Sequence, residues 1–198
     1  MTHVRALFAL VSVLAVSACG EPAPPPADAP AEVPAGGPEA PEPAQAPTPL
    51  TTPTALDSEG LRLVSPTGST LLIAFGHPAK VANEALTAAR GAPTEQGLNS
   101  ECGAGPLVYV NWADGLTAYF QNDTFAGWAA NGAGPTTMSG IGIGSTRAEM
   151  EDVYAGVTVS ETTLGQEFAA GQLYGILDGT GPQARITAMW SGVSCNFR

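Results

Sequence analysis

Positive charge is scarce in this chain. Its 198 residues carry 7 Lys and Arg against 18 Asp and Glu, a formal charge of −11. Without a basic cluster nothing can neutralise phosphates, which excludes nucleic acid as a partner. Histidine occurs twice, cysteine three times and at wide spacing, so no paired-ligand motif for a metal exists. No nucleotide or other cofactor motif is present either, so no cofactor is expected. Apolar runs are also short. The longest stretch near the N-terminus, Ala6 to Ala18, has thirteen residues, whereas a membrane-crossing helix needs about 20.

The abundant residues fall into two separate polymers. Twelve of the 18 prolines lie between Pro22 and Pro53, and 21 of the 24 glycines follow Asp57. The first 18 residues read as a signal peptide: Arg5, the short apolar run, then small side chains. The run ends in Val16-Ser17-Ala18-Cys19, which resembles a bacterial lipobox. That resemblance implies cleavage before Cys19 and lipid attachment to its sulfur. A single acyl chain holds a membrane weakly, so stable anchoring takes several. Gly20, by resemblance to proteobacterial lipoproteins that lack Asp at this position, implies the periplasmic face of the outer membrane.

Residues 19–59 then read as the lipidated Cys and a tether. Glu21, Asp28, Glu32, Glu39, Glu42, Asp57 and Glu59 meet no Lys, Arg or aromatic residue there. Such a stretch buries too little apolar surface to offset chain entropy, and proline favours extended polyproline II. Some 35 residues would reach roughly 110 Å at most. Residues 60–198 are the globular part, about the size at which one hydrophobic core suffices and a multi-domain enzyme is excluded.

Within that part a layout recurs. Leu72 to Phe75 is apolar and leads through Gly76-His77-Pro78 into a helical pattern over 78–90, with Val81, Ala82, Ala85, Leu86 and Ala89 on its apolar face. Ile141 to Gly144 leads into a second helix, where Thr146 and Glu149 form a capping box and Met150, Val153 and Tyr154 are apolar. Strand patterns follow each: 107–112, 116–121 and 125–128 in the first half, 172–178 and 185–190 in the second. The expected fold class is therefore α+β, two repeats of strand, helix and three-stranded antiparallel sheet, with helices packed on one sheet face and halves at about 68–131 and 135–198. The run Gly144-Ser145-Thr146-Arg147-Ala148-Glu149, with its weaker counterpart Gly76-His77-Pro78, resembles the tandem α/β repeat of the β-lactamase inhibitor protein family and the BamE/SmpA type of outer-membrane lipoprotein. The resemblance implies binding of proteins through sheet surfaces and loops.

Chemical candidates are few. Cys102 and Cys195 belong to an exported domain and are expected to form a disulfide. It would close a loop of about 94 residues, for which chain entropy gives roughly 4 to 5 kcal/mol; two buried free thiols are the alternative. His77 at a helix start reads as a cap or a solvated side chain rather than a general base. Gly140-Ile141-Gly142-Ile143-Gly144 matches neither phosphate-loop motif. With a two-residue turn at Asp114-Gly115, Val110 and Trp112 would share a face with Thr117 and Tyr119, away from Leu116, Ala118 and Phe120. These four form the expected interaction surface, unless a second layer covers them.

The function these features support is a non-catalytic protein-interaction or assembly module, held at the cell envelope by lipidated Cys19 and facing an envelope protein. A small-molecule or lipid-binding domain with Tyr154, Phe168 and Tyr174 in a pocket is the alternative. A hydrolase using Asp114, Asp123 or Asp178 would need two carboxylates in one cleft.

Overall fold

The computed structural model describes residues 52–195. The stretches read as signal peptide, lipidated Cys19 and tether lie, up to Thr51, outside the described residues.

Eleven strands and two helices make up the described chain, in the order β1 (Thr54–Asp57), β2 (Gly60–Val64), β3 (Thr70–Ala74), α1 (Ala79–Arg90), β4 (Glu95–Asn99), β5 (Leu107–Asn111), β6 (Leu116–Gln121), β7 (Thr124–Ala130), α2 (Arg147–Val153), β8 (Thr158–Thr162), β9 (Gly165–Ala170), β10 (Leu173–Leu177) and β11 (Ile186–Gly192). They form two antiparallel sheets, one ordered β1-β2-β3 and the other β4-β5-β6-β7-β11-β10-β9-β8. This overturns the expected α+β class with two strand-helix-three-strand repeats. The protein is mostly β. β3 belongs to a separate sheet, and Ile141 to Gly144 forms no strand. Each helix is followed by a meander of four strands rather than three. β1 also lies inside the stretch read as tether, with Ala55 and Leu56 buried.

The large sheet is two meanders joined where β7 pairs with β11, from Gly127–Gly192 to Ala130–Met189. Alternation gives it two unlike faces. On one side Ala118, Trp128, Met189 and Phe168 are buried with Leu86 of α1, Met150 of α2, and Leu56, Leu61 and Ile73 of the small sheet. Each fully buried Leu, Ile or Met contributes about 1.5–3 kcal/mol by leaving water, so the small sheet supplies as much cover as the helices.

Two polar contacts fix that sheet in place. Trp128 Nε1 donates to the Asp57 carbonyl at 2.8 Å, and Ser191 Oγ, wholly buried, donates to Ser58 O at 2.8 Å and lies 2.8 Å from Gln172 O. Arg62 holds the β1–β2 hairpin by bonding Asp57 Oδ2 through Nε at 3.0 Å and Nη2 at 2.7 Å.

The helices follow their sequence signals in part. α2 carries the capping box: the Glu149 N–H donates to Thr146 Oγ1, and Glu149 Oε2 accepts from the Thr146 N–H. The backbone N–H of Thr146 on that carboxylate holds the Glu149 pKa below its usual value. Ala82, Leu86 and Ala89 form the buried stripe of α1, whereas Val81 is 55% exposed and Val153 of α2 is 43% exposed.

Trp128→Phe removes the indole donor and leaves the Asp57 carbonyl short of a partner in the core. It is expected to lower unfolding free energy by about 2–3 kcal/mol, read by urea denaturation. An unchanged midpoint would mean that the contact between the sheets does not support the fold.

Candidate functional site

The hairpin of β5 and β6 decides which side chains face out. Its loop has three residues, Ala113, Asp114 and Gly115. The Trp112 N–H donates to Leu116 O at 2.9 Å and the Gly115 N–H to Trp112 O at 3.1 Å. Gly115 has φ 83°, and a Cβ there would sit 2.4 Å from Gly132 N, so glycine is required twice over. The register pairs Val110 with Ala118 and Asn111 with Thr117.

One extra loop residue turns the expected surface inside out, because a register slip of one reverses every side chain. Val110 and Trp112 lie on the core face, 2% and 4% exposed. Trp112 Nε1 donates to Gly91 O at 3.1 Å, and the Arg90 guanidinium stands 5.4 Å from its ring centroid while pairing with Asp114. The assignment of Trp112 and Val110 to an interaction surface is therefore corrected. Both are core. Thr117 and Tyr119 do lie on the opposite face, half-buried, where Thr117 Oγ1 donates to Asn111 Oδ1 at 2.8 Å.

That opposite face carries a row of aromatic side chains. Register places Tyr109 beside Tyr119 on β5 and β6, and Trp190 beside Tyr174 on β11 and β10. The Trp190 and Tyr174 rings stack at 6.4 Å with 18° between planes. Tyr109 lies across Gly97 of β4, where a Cβ would stand 2.8 Å from its hydroxyl. Its hydroxyl donates to Glu95 Oε1 at 3.0 Å, and Asn111 Nδ2 donates to Oε2 at 3.1 Å. The bond to Glu95 and that residue's charge raise the Tyr109 pKa. Burial is the main cause that raises the Tyr119 pKa. Sequence reasoning missed Tyr109 and Trp190 for this face and assigned Tyr174 to a pocket instead; their alternation with buried neighbours is the available signal.

The C-terminal segment crosses this face. The Val193 N–H donates to Ala126 O at 2.9 Å, and Val193 lies so close over Gly127 that a Cβ there would meet its carbonyl oxygen at 2.0 Å. The segment brings Cys195 to Cys102. Both are free thiols; Cys195 Sγ accepts from Asn99 Nδ2 at 3.2 Å, and Cys102 Sγ lies 3.8 Å from Ser194 O. Desolvation, then the neighbouring Cys102 thiol, pushes the Cys195 pKa up to about 11. A reduced Cys195 would therefore stay a thiol, and a poor nucleophile, at neutral pH.

The residues weighed for other chemistry do not converge. Asp114 and Asp123 stand at opposite ends of β6, which at about 3.3 Å per residue separates them by roughly 20 Å. Asp114 is paired with Arg90, and Asp178 accepts the Arg185 N–H at 2.7 Å. Phe168 is buried in the core and Tyr174 is on the other face, so they do not line one pocket with Tyr154. His77 is exposed and its backbone joins α1 to β7. Among the described residues no three metal-ligating side chains cluster, and no helix is long and apolar enough to cross a membrane.

No family model and no curated protein matches the sequence. Among solved structures, the chain is similar to the uncharacterized protein yfeY from Escherichia coli at 10% identity and a TM-score of 0.42, covering 61% of this chain and 92% of that one.

The two faces predict opposite outcomes for two aromatic substitutions. Trp112→Ala opens a core cavity and is expected to cost about 3–5 kcal/mol. Tyr109→Ala, at the outer face, is expected to cost under about 1 kcal/mol. Thermal unfolding of both variants checks the assignment, and similar losses would contradict it.

Proposed function

We propose that this protein is an envelope lipoprotein, anchored through Cys19, that offers the outer face of its large sheet to a partner protein without catalysing a reaction. The observation that carries the reading is the set of half-buried tyrosines Tyr109, Tyr119 and Tyr174 on a sheet face away from both helices and the small sheet, with Trp190, itself only 4% exposed, backing Tyr174. Tyr and Trp give rigid, amphipathic contact area at low entropic cost, the usual composition of binding anchors. The periplasmic face of the outer membrane is the location this reading favours. Cys102 and Cys195 form a disulfide in that compartment, with a protein disulfide as oxidant, and so tie the C-terminal segment across the face.

A second reading has one observation in its favour. A cleft of about 570 Å³ beside Arg90, Trp112, Thr136 and Met138 is in the size range of small-molecule sites. Arg90 is already paired with Asp114 there, which leaves the cleft without a free charge to select a ligand.

Two measurements test the leading reading. In cells expressing the Tyr109→Ala/Tyr174→Ala variant, recovery of the co-purified envelope partner is expected to fall at least about tenfold, or 1.4 kcal/mol, with the variant's abundance unchanged. Equal recovery from variant and parent would remove the face from the interaction. Intact mass of protein extracted from membranes reads both covalent features. It is expected to show an acylated N-terminus at Cys19 and a loss of two hydrogens across Cys102 and Cys195. An unacylated Cys19 or two free thiols would contradict the anchor or the bridge.

A further inference from the structure

We propose that residues 193–195 are a redox-set strap on the outer face: a Cys102–Cys195 bridge fastens them across Tyr119, and reduction of the bridge by a protein dithiol releases that tyrosine to the partner. This regulation rests on the reading of the outer face as the binding surface.

The strap has a hinge and a seat. β11 ends at Gly192, where φ is 70° and a Cβ would stand 2.4 Å from Ala126 O. Glycine there lets the chain turn out of the sheet. Val193 then lies over Gly127. Gly127 is not among the residues with positive φ, so its backbone suits any side chain. A Cβ on it would nevertheless meet Val193 O at 2.0 Å and Val193 N at 2.6 Å. The close passage of the strap is the reason for glycine at this position.

Beyond its seat the strap meets the aromatic face. Tyr119 pairs with Gly127 across β6 and β7, so both lie on the outer face and the strap passes from one toward the other. Burial, then the charges of Cys195 and Cys102 as thiolates, raise the Tyr119 pKa, which sets both sulfurs near its phenol. The other two outer tyrosines have different neighbours: Tyr109 donates to Glu95, and Tyr174 stacks on Trp190. At the far end Asn99 Nδ2 donates to Cys195 Sγ at 3.2 Å and Cys102 Sγ lies 3.8 Å from Ser194 O. The strap thus ends at the loop between β4 and β5.

With two thiols the hold on the strap is light. The Val193 N–H bonds Ala126 O at 2.9 Å, hydrogen bonds to sulfur are weak, and residues 193–195 are only half-buried, so local opening costs little. A bridge removes the open state. It forms when Cys102 and Cys195 give up two protons and two electrons to a protein disulfide, which leaves as a dithiol. Opening runs the other way. A thiolate of a protein dithiol attacks Cys195 Sγ, because Cys102 is 6% exposed whereas Cys195 is half-buried. A mixed disulfide forms as the Cys102 sulfur leaves and takes a proton. The reductant's second thiol then displaces Cys195, which takes a proton in turn, and closes the reductant's own disulfide.

Nitration of the full-length chain with tetranitromethane, read peptide by peptide, tests this. Tyr119 is expected to react at least about tenfold faster in Cys102→Ser/Cys195→Ser than in the bridged parent, while Tyr174 holds within about twofold. Gly127→Ala puts a methyl group where the strap sits. Its bridge, formed with glutathione disulfide and counted by alkylation after denaturation, is expected to close at least about tenfold more slowly than the parent's. Circular dichroism verifies that the variants fold. In cells, recovery of the envelope partner is expected to rise at least about threefold in the double serine variant. Equal Tyr119 rates, or equal closure in Gly127→Ala, would overturn the strap. A freed Tyr119 with unaltered partner recovery would overturn its control of the face. Absence of a partner from parent and variant alike would count against the binding face itself, and the Tyr119 rates decide the strap without it.

Discussion

β7 and β11 pair antiparallel along Gly127–Ala130 and Met189–Gly192, and this joint makes one sheet of eight strands from two meanders of four. A single four-stranded meander with one short helix could bury only a few apolar side chains. Joined, the meanders present a continuous apolar face that holds Trp128, Met189, Phe168 and Phe125 against one set of covering elements. The joint also places small residues where chain must pass closely. Gly127 admits Val193 over one face, and Gly192 lies where a Cβ would meet Ala126 O. The C-terminal segment can cross toward Cys102 only because that passage is open.

The covering layer is built from unlike parts. α1, α2 and the β1–β3 sheet share one face because each has a single apolar side to bury. The indole of Trp128 and the hydroxyl of Ser191 carry hydrogen bonds from the large sheet to the small one. The opposite face keeps polar and aromatic side chains. An antiparallel sheet tolerates this arrangement, since only one of its faces needs to leave water. The asymmetry is what makes a binding role physically reasonable: a rigid sheet, fixed from behind, holds Tyr109 and Tyr119 in place before any partner arrives.

How far the sequence discloses this depends on the element. The Thr146–Glu149 capping box and the buried stripe of α1 are local signals, and they are present. The strands β5, β6, β7, β10 and β11 alternate or run apolar enough to be seen. The edge strands β4 and β8 are not visible in this way, because Gln96, Asn99, Ser160 and Glu161 give them no buried period. β1 hides beside the prolines, although Leu56 is among the most buried side chains. Which face each hairpin residue takes is half legible. Thr117 and Tyr119 lie opposite Leu116, Ala118 and Phe120 as the alternation implies, while Trp112 and Val110 are turned inward by one loop residue that Asp114-Gly115 does not reveal without the hydrogen bonds of Trp112.

The central claim is that the outer face of the large sheet, rather than the covered one, meets a protein in the envelope. The most direct measurement is photo-crosslinking in intact cells with a light-activated residue at Thr117, on the aromatic face, and separately at Thr87 on α1. The account predicts a discrete higher-mass protein adduct from position 117 and none of the same mass from position 87. Adducts from position 87 alone, or none from position 117, would contradict it.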